Sequence, residues 1–179
     1  FQKPGELKRN ILLSPDKRIL YFSIPKCACS TVKVFLRTLY GQNPAEARQN
    51  PHSVENNPLL NYSHLDGDQE LNQLIEDKSV FKFSIIRDPR SRVLSAYKNK
   101  FIDAPIDVRK GFLRRLALGK EYLDGNKVLS FDDFLKIISN QSSLDMNEHW
   151  RPMAFQLLGL GPQKVKLFGM DEIPLALKN

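Results

Sequence analysis

Two short apolar runs, each followed by a helically spaced stripe, constrain this chain more than any other feature. Ile19-Leu20-Tyr21-Phe22-Ser23-Ile24 stops at Pro25, and Phe81-Lys82-Phe83-Ser84-Ile85-Ile86 stops at Arg87-Asp88-Pro89. Such β-favouring runs, bounded by turn residues, read as buried strands. After the first, Val32, Val34, Phe35, Leu36 and Leu39 recur near helical spacing and end at Gly41. After the second, Val93, Leu94, Tyr97 and Phe101 do the same. With a late strand expected over residues 165–170, this alternation predicts an α/β domain built on a mainly parallel sheet. Further helices are expected over 68–78, over 108–118 and from Ser130, where Asp132 and Asp133 fall in the first turn. Residues 59–65 read as a short strand, 1–18 as a loose lead-in and 42–58 as a surface loop. No interior tract reads as a linker, so residues 1–179 are expected to form a single domain. The chain opens at Phe1 rather than Met and reads as a trimmed or partial one.

Composition excludes several classes. Apolar residues make up 41%, enough for a core, which argues against wholesale disorder. No apolar run approaches the roughly 18–20 residues of a membrane span, so none is expected. The two cysteines, Cys27 and Cys29, are too close for an ordinary disulfide and form a poor zinc pair. No metal site is expected, and a reducing, cytoplasmic setting is. The net charge of +7 favours an anionic ligand without naming one, although many small domains are basic for no specific reason.

Two constellations carry chemistry. Pro25-Lys26-Cys27-Ala28-Cys29-Ser30-Thr31-Val32-Lys33 lies between an expected strand and helix. A short loop there gathers backbone N–H groups at a helix N-terminus, a geometry that binds phosphate or sulfate. Lys26 adds a point charge, and Ser30 and Thr31 add hydroxyls. The GxxxxGK pattern of nucleotide-triphosphate loops is absent, and a plain strand-to-helix turn capped by Ser or Thr reads the same way. In the second stretch, Arg87 ends a strand, where ligands of open α/β sheets gather, and Ser95 follows about two helical turns on. Both can serve one phosphate. Equally, Arg87 can pair with Asp88 while Ser95 merely packs.

Taken together, PKCACST and RDPRSRVLSAYKNKF resemble the 5′-phosphosulfate loop and the 3′-phosphate site of sulfotransferases, enzymes that use 3′-phosphoadenosine 5′-phosphosulfate (PAPS). The second stretch is most similar to carbohydrate sulfotransferases of the Golgi type and their bacterial relatives. Asn147-Glu148-His149-Trp150-Arg151-Pro152 resembles the HWRPQ segment of that group, with Met153 in place of Gln. The resemblance implies a three-layer, P-loop NTPase-like fold with helices flanking the central sheet. It implies that Lys26 meets the oxygen bridging phosphate and sulfate. The backbone of Cys27, Ala28, Cys29, Ser30 and Thr31 then cradles the 5′-phosphate, while Arg87 and Ser95 hold the 3′-phosphate. It also implies in-line sulfuryl transfer to a hydroxyl, on a carbohydrate by preference, with PAPS as co-substrate and no metal. Two departures stand out. The cysteines that Golgi members carry after the HW segment are absent, which fits a cytoplasmic homologue better than a Golgi-lumenal one. The C-terminal helix that usually follows is not evident before Asn179, so the chain reads as short there.

An acceptor hydroxyl needs a general base. His64 is the first candidate, His149 the second and His52 the third, with Glu55 in reserve; a lone histidine is more often structural. The basic segment Arg109, Lys110, Arg114, Arg115 and Lys120 is a candidate face for an anionic glycan, or simply a solvated helix face. Trp150 and Tyr122 are candidates for stacking on sugar, and Trp150 equally for the core. A small-molecule or nucleotide kinase of the P-loop superfamily is the alternative enzyme. A nucleic-acid-binding module ranks behind both, and no nucleic-acid partner is expected. Oligomeric state is left open.

Overall fold

The structure is a computed structural model, and it describes residues 4–53 and 55–177. Readings that involve Phe1, Val54 or Asn179 fall outside the described residues. In chain order the elements begin with helix α1 (Pro4–Asn10), strands β1 (Ile11–Leu13) and β2 (Ile19–Phe22), then α2 (Cys29–Leu39) and α3 (Pro44–Gln49). Next come β3 (Leu60–Asn61), a 3-10 turn over Tyr62–His64, α4 (Gly67–Glu76) and β4 (Phe81–Ile85). Helices α5 (Pro89–Tyr97), α6 (Ile106–Arg115), α7 (Lys120–Leu123) and α8 (Phe131–Ser139) follow. Last are α9 (Met153–Gln156), β5 (Lys166–Phe168) and α10 (Ile173–Ala176).

Among the described residues the strands form one five-stranded sheet, ordered β3-β1-β2-β4-β5. β2 pairs parallel with β4, and β4 with β5; β1 runs antiparallel to both β2 and β3. Every strand but β1 therefore points the same way, which is the mainly parallel α/β sheet that the alternating pattern predicts. The inner strands are buried as expected of strands covered on both faces: Leu20, Tyr21, Phe22 and Ile85 are each 0% exposed. An aromatic ladder crosses the sheet. The Phe83 ring stacks on Tyr21 at 4.9 Å and meets Phe168 edge-on at 6.3 Å. The Ser84 hydroxyl, also fully buried, donates to the Phe22 carbonyl at 2.6 Å and ties β4 to β2.

Contacts divide the chain into two compact units, residues 1–87 with 152–179, and residues 88–151. The first holds the sheet and its core. The second is helical, with Tyr97, Phe101, Leu113, Phe134 and Trp150 at its centre. Asp88 caps α5 by accepting from the Ser91 N–H, with Pro89 at the first helical position. Five residues later than α5 alone would reach, a π-turn over Lys98–Ile102 closes with the Asp103 N–H on the Lys98 carbonyl.

Two expectations fail. The lead-in is not loose: it holds α1 and β1. A tight turn joins β1 to β2, in which Asp16 accepts from the Ser14 hydroxyl at 2.5 Å and the Arg18 N–H at 3.1 Å. The three apolar residues of β1 are too few to show a period, so pairing with β2 decides their state. The 42–58 stretch is not all loop either. Asn43 accepts from the Ala45 N–H and Pro44 starts α3, a cap-then-proline signal overlooked amid the polar composition. The expected 59–65 strand shortens to β3 and then turns.

Candidate active site

β2 runs out at Phe22, and α2 begins at Cys29. Between them the backbone is held in an unusual shape: Lys26 has φ 70° and Ala28 has φ 53°, the left-handed region. For non-glycine residues that conformation costs about 1–2 kcal/mol each. Cys27, between them, is what fixes the loop. Its side chain is fully buried, its N–H donates to the Ile24 carbonyl at 3.2 Å, and its sulfur meets Met153 Sδ at 3.8 Å. The residue that departs from the HWRPQ pattern therefore packs beneath the loop. Anchoring Cys27 inward leaves Lys26, Ala28, Cys29 and Ser30 only half-buried. Ala28 is the N-cap of α2 and has no side chain to satisfy the first N–H groups, so that helix end presents donors and the positive end of its dipole.

Arg87 follows β4 and reaches the same loop. Its guanidinium donates to the Lys26 carbonyl at 3.2 Å, across 61 residues of sequence. The structure thus joins the strand-end arginine to the lysine-bearing turn within the first unit. Ser95 is half-buried on α5, in the second unit.

The histidines are in different electronic states. His64 is exposed in the 3-10 turn, and its Nδ1 accepts from the Asn61 N–H at 3.2 Å. That leaves the ring proton of neutral His64 on Nε2. His149, in the second unit, bonds through Nδ1 to Asn147 Oδ1 at 2.6 Å, with its ring edge-on to Phe112 at 5.9 Å. A carbonyl oxygen only accepts, so Nδ1 carries the proton and the basic lone pair is on Nε2. His52 is exposed, and its Nε2 bonds the Ser30 hydroxyl at 3.0 Å. Its Nδ1 lies 3.4 Å from Lys33 Nζ. Glu55 is exposed, and its N–H donates to the Ser53 hydroxyl.

α2 also differs from its expected stripe. Leu39 is 57% exposed, while Lys33 and Arg37 are buried. Both satisfy main-chain carbonyls: Lys33 Nζ donates to Arg9 O at 3.0 Å, and Arg37 donates to Asn50 O at 2.9 Å and to the Gln42 side chain. Burial lowers the Arg37 pKa from its ordinary value. The grouping of Ser30, Lys33 and His52 is the feature that sequence reasoning missed, because nothing in residue spacing links positions 22 apart.

The acceptor candidates separate. Trp150 is a core residue of the second unit, 4% exposed, with Nε1 donating to Gln141 at 3.2 Å. Tyr122 is half-buried beneath Lys127, whose ammonium lies 4.8 Å from the ring centre. On α6, Arg114 and Arg115 are exposed, while Arg109 is half-buried and folds back onto the Ala104 carbonyl. Lys120, at the start of α7, is exposed. Among the described residues, no cluster of three or more His, Cys, Asp or Glu is built to hold a metal. No helix among them is long and apolar enough to cross a membrane.

A parallel-sheet protein whose strand-to-helix loop bears a lysine, and whose next parallel strand delivers an arginine to it, is of the class that grips phosphate- or sulfate-bearing ligands. Residues 9–163 match the group described as "Sulfotransferase family", and the chain belongs to that family. It is 34% identical over 152 residues to carbohydrate sulfotransferase 14 of Mus musculus, covering 82% of this chain and 39% of that protein. Carbohydrate sulfotransferase 14 of Danio rerio is 32% identical over 155 residues, covering 82% and 40%. Carbohydrate sulfotransferase 11 of Danio rerio is 29% identical over 164 residues, covering 83% and 45%. The chain therefore spans less than half the length of these relatives. No solved structure matches it significantly.

Proposed function

We propose that the chain transfers a sulfuryl group from PAPS to a hydroxyl of a carbohydrate. The observation that carries this reading is the bond from Arg87 to the carbonyl of Lys26, which joins the two family stretches at one loop. Family membership supports sulfuryl transfer, and the names of the relatives support a carbohydrate acceptor.

In this reading the backbone N–H groups of residues 27–31 and the hydroxyls of Ser30 and Thr31 hold the 5′-phosphate. Arg87 holds the 3′-phosphate. The acceptor oxygen forms a bond to sulfur as the bond from sulfur to the bridging oxygen breaks. The Lys26 ammonium neutralises charge growing on that bridging oxygen. Positioning and charge stabilisation supply most of the rate. The acceptor proton passes to a histidine. The candidates for that task are His64, in the same unit as the Lys26 loop, and His149, in the second unit.

Isothermal titration with adenosine 3′,5′-bisphosphate in the absence of magnesium tests the reading. Binding is expected. Magnesium-dependent ATP binding with no contribution from a 3′-phosphate would instead mark a kinase. Arg87→Ala is expected to weaken bisphosphate binding at least tenfold, as loss of a charge-assisted bond should. Lys26→Ala is expected to lower kcat far more than it weakens that binding. Unchanged bisphosphate affinity in Arg87→Ala removes Arg87 from the site.

A further inference from the structure

Lys33 and His52 play no part in the mechanism above, yet the hydrogen-bond polarity that runs from them to Ser30 has a definite direction. Lys33 is buried, 7% exposed, and its ammonium donates to the Arg9 carbonyl at the C-terminal end of α1. The same ammonium lies 3.4 Å from His52 Nδ1. An ammonium has donors and no acceptor, so Nδ1 must be the accepting nitrogen. The proton of neutral His52 is therefore on Nε2, which donates to Ser30 Oγ at 3.0 Å. An oxygen that accepts from His52 is left with its own O–H to donate elsewhere. Ser30 lies in the first turn of α2, whose N-cap supplies no side-chain acceptor.

We propose that His52 is a positioning residue: polarised by Lys33, it fixes the Ser30 hydroxyl as a donor toward the anion bound at the start of α2. The inference rests on the proposed function, since it takes that anion to be the 5′-phosphate of the donor nucleotide. A hydroxyl rotor is ordinarily free to point its proton at any neighbour, and binding must then select one orientation. Here the choice is made before the ligand arrives. The same polarity makes His52 a poor general base. Its Nδ1 is turned to the Lys33 ammonium and its Nε2 carries the ring proton, so neither nitrogen is placed to receive a proton from an acceptor hydroxyl.

A double-mutant cycle on bisphosphate binding tests this. Titrations with adenosine 3′,5′-bisphosphate are made on the full chain and on His52→Phe, Ser30→Ala and the double variant. Phe keeps the ring and removes both nitrogens, and the exposure of His52 makes folding tolerant of it. Ser30→Ala is expected to lose about tenfold in affinity and His52→Phe about threefold to tenfold. The double variant is expected to be no weaker than Ser30→Ala, because His52 acts through that hydroxyl. His52→Gln, whose amide can both accept from Lys33 and donate to Ser30, is expected to restore most of the affinity. Losses that multiply in the double variant overturn the positioning role. So does a fall in kcat in His52→Phe with bisphosphate affinity unchanged, the mark of a base. If the unaltered chain binds no bisphosphate, the proposed function itself fails, and that result is distinct from either.

Discussion

At the scale of single residues, Ala28 shows how little room the loop has. Its left-handed backbone tolerates a methyl group at a cost, but a β-branched side chain is a true outlier there. Ala28→Val is expected to destabilise the fold by about 1–2 kcal/mol and to weaken bisphosphate binding. Urea denaturation and titration check the two effects. If stability and affinity are both unchanged, the loop does not hold this shape. Lys26, Ser30 and Arg87 were legible as candidates in the sequence because each stands at a fixed distance from a strand end. His52 was legible only as a histidine in a polar tract. Its partnership with Lys33 and Ser30 arises when the segment after α3 folds back on α2, which no local period encodes.

At the scale of elements, long amphipathic segments were readable and short ones were not. The helix from Ser130 appears as α8 because its signals agree: Ser130 accepts from the Asp133 N–H, Asp132 and Asp133 complement the dipole, and Phe134 and Ile138 are buried. β1 and α1 had no such agreement, and tertiary pairing settled them. The β1–β2 turn makes stability depend on pH. The Ser14 hydroxyl, then the Arg18 N–H, hold the Asp16 carboxyl below its ordinary value of 3.8. A depressed carboxylate contributes stability that is fully present above its unfolded pKa and is lost as pH falls through the lower folded value. Stability is thus expected to drop as pH falls below about 4, and Asp16→Asn is expected to flatten part of that drop. Melting temperatures measured across that range check it. An equal slope in the variant shows that other carboxylates account for the whole effect.

At the scale of the whole molecule, the crossings between the two units explain why no linker was visible. The chain leaves the first unit at Asp88, the cap of α5, and returns at Pro152, the residue that precedes α9. Both crossings are helix starts rather than Gly- or Ser-rich tracts, so composition does not change there. The net charge of +7 also acts at this scale. Attraction of a highly anionic nucleotide to a basic protein is screened by salt over about 8–10 Å at physiological strength. Bisphosphate affinity is expected to fall several-fold between about 50 and 300 mM salt, where the Debye length shortens. Affinity that ignores salt assigns binding to local contacts alone.

The strained turn before α2 has one more consequence. Phosphate seats made of glycine are supple and mould themselves around whatever arrives. The loop proposed here as such a seat is braced from below by a sulfur pair and from the side by a guanidinium, so its contour is set during folding. A rigid mould admits by shape, and nucleotides that place their 5′ anion a bond length nearer or farther are expected to be turned away rather than accommodated.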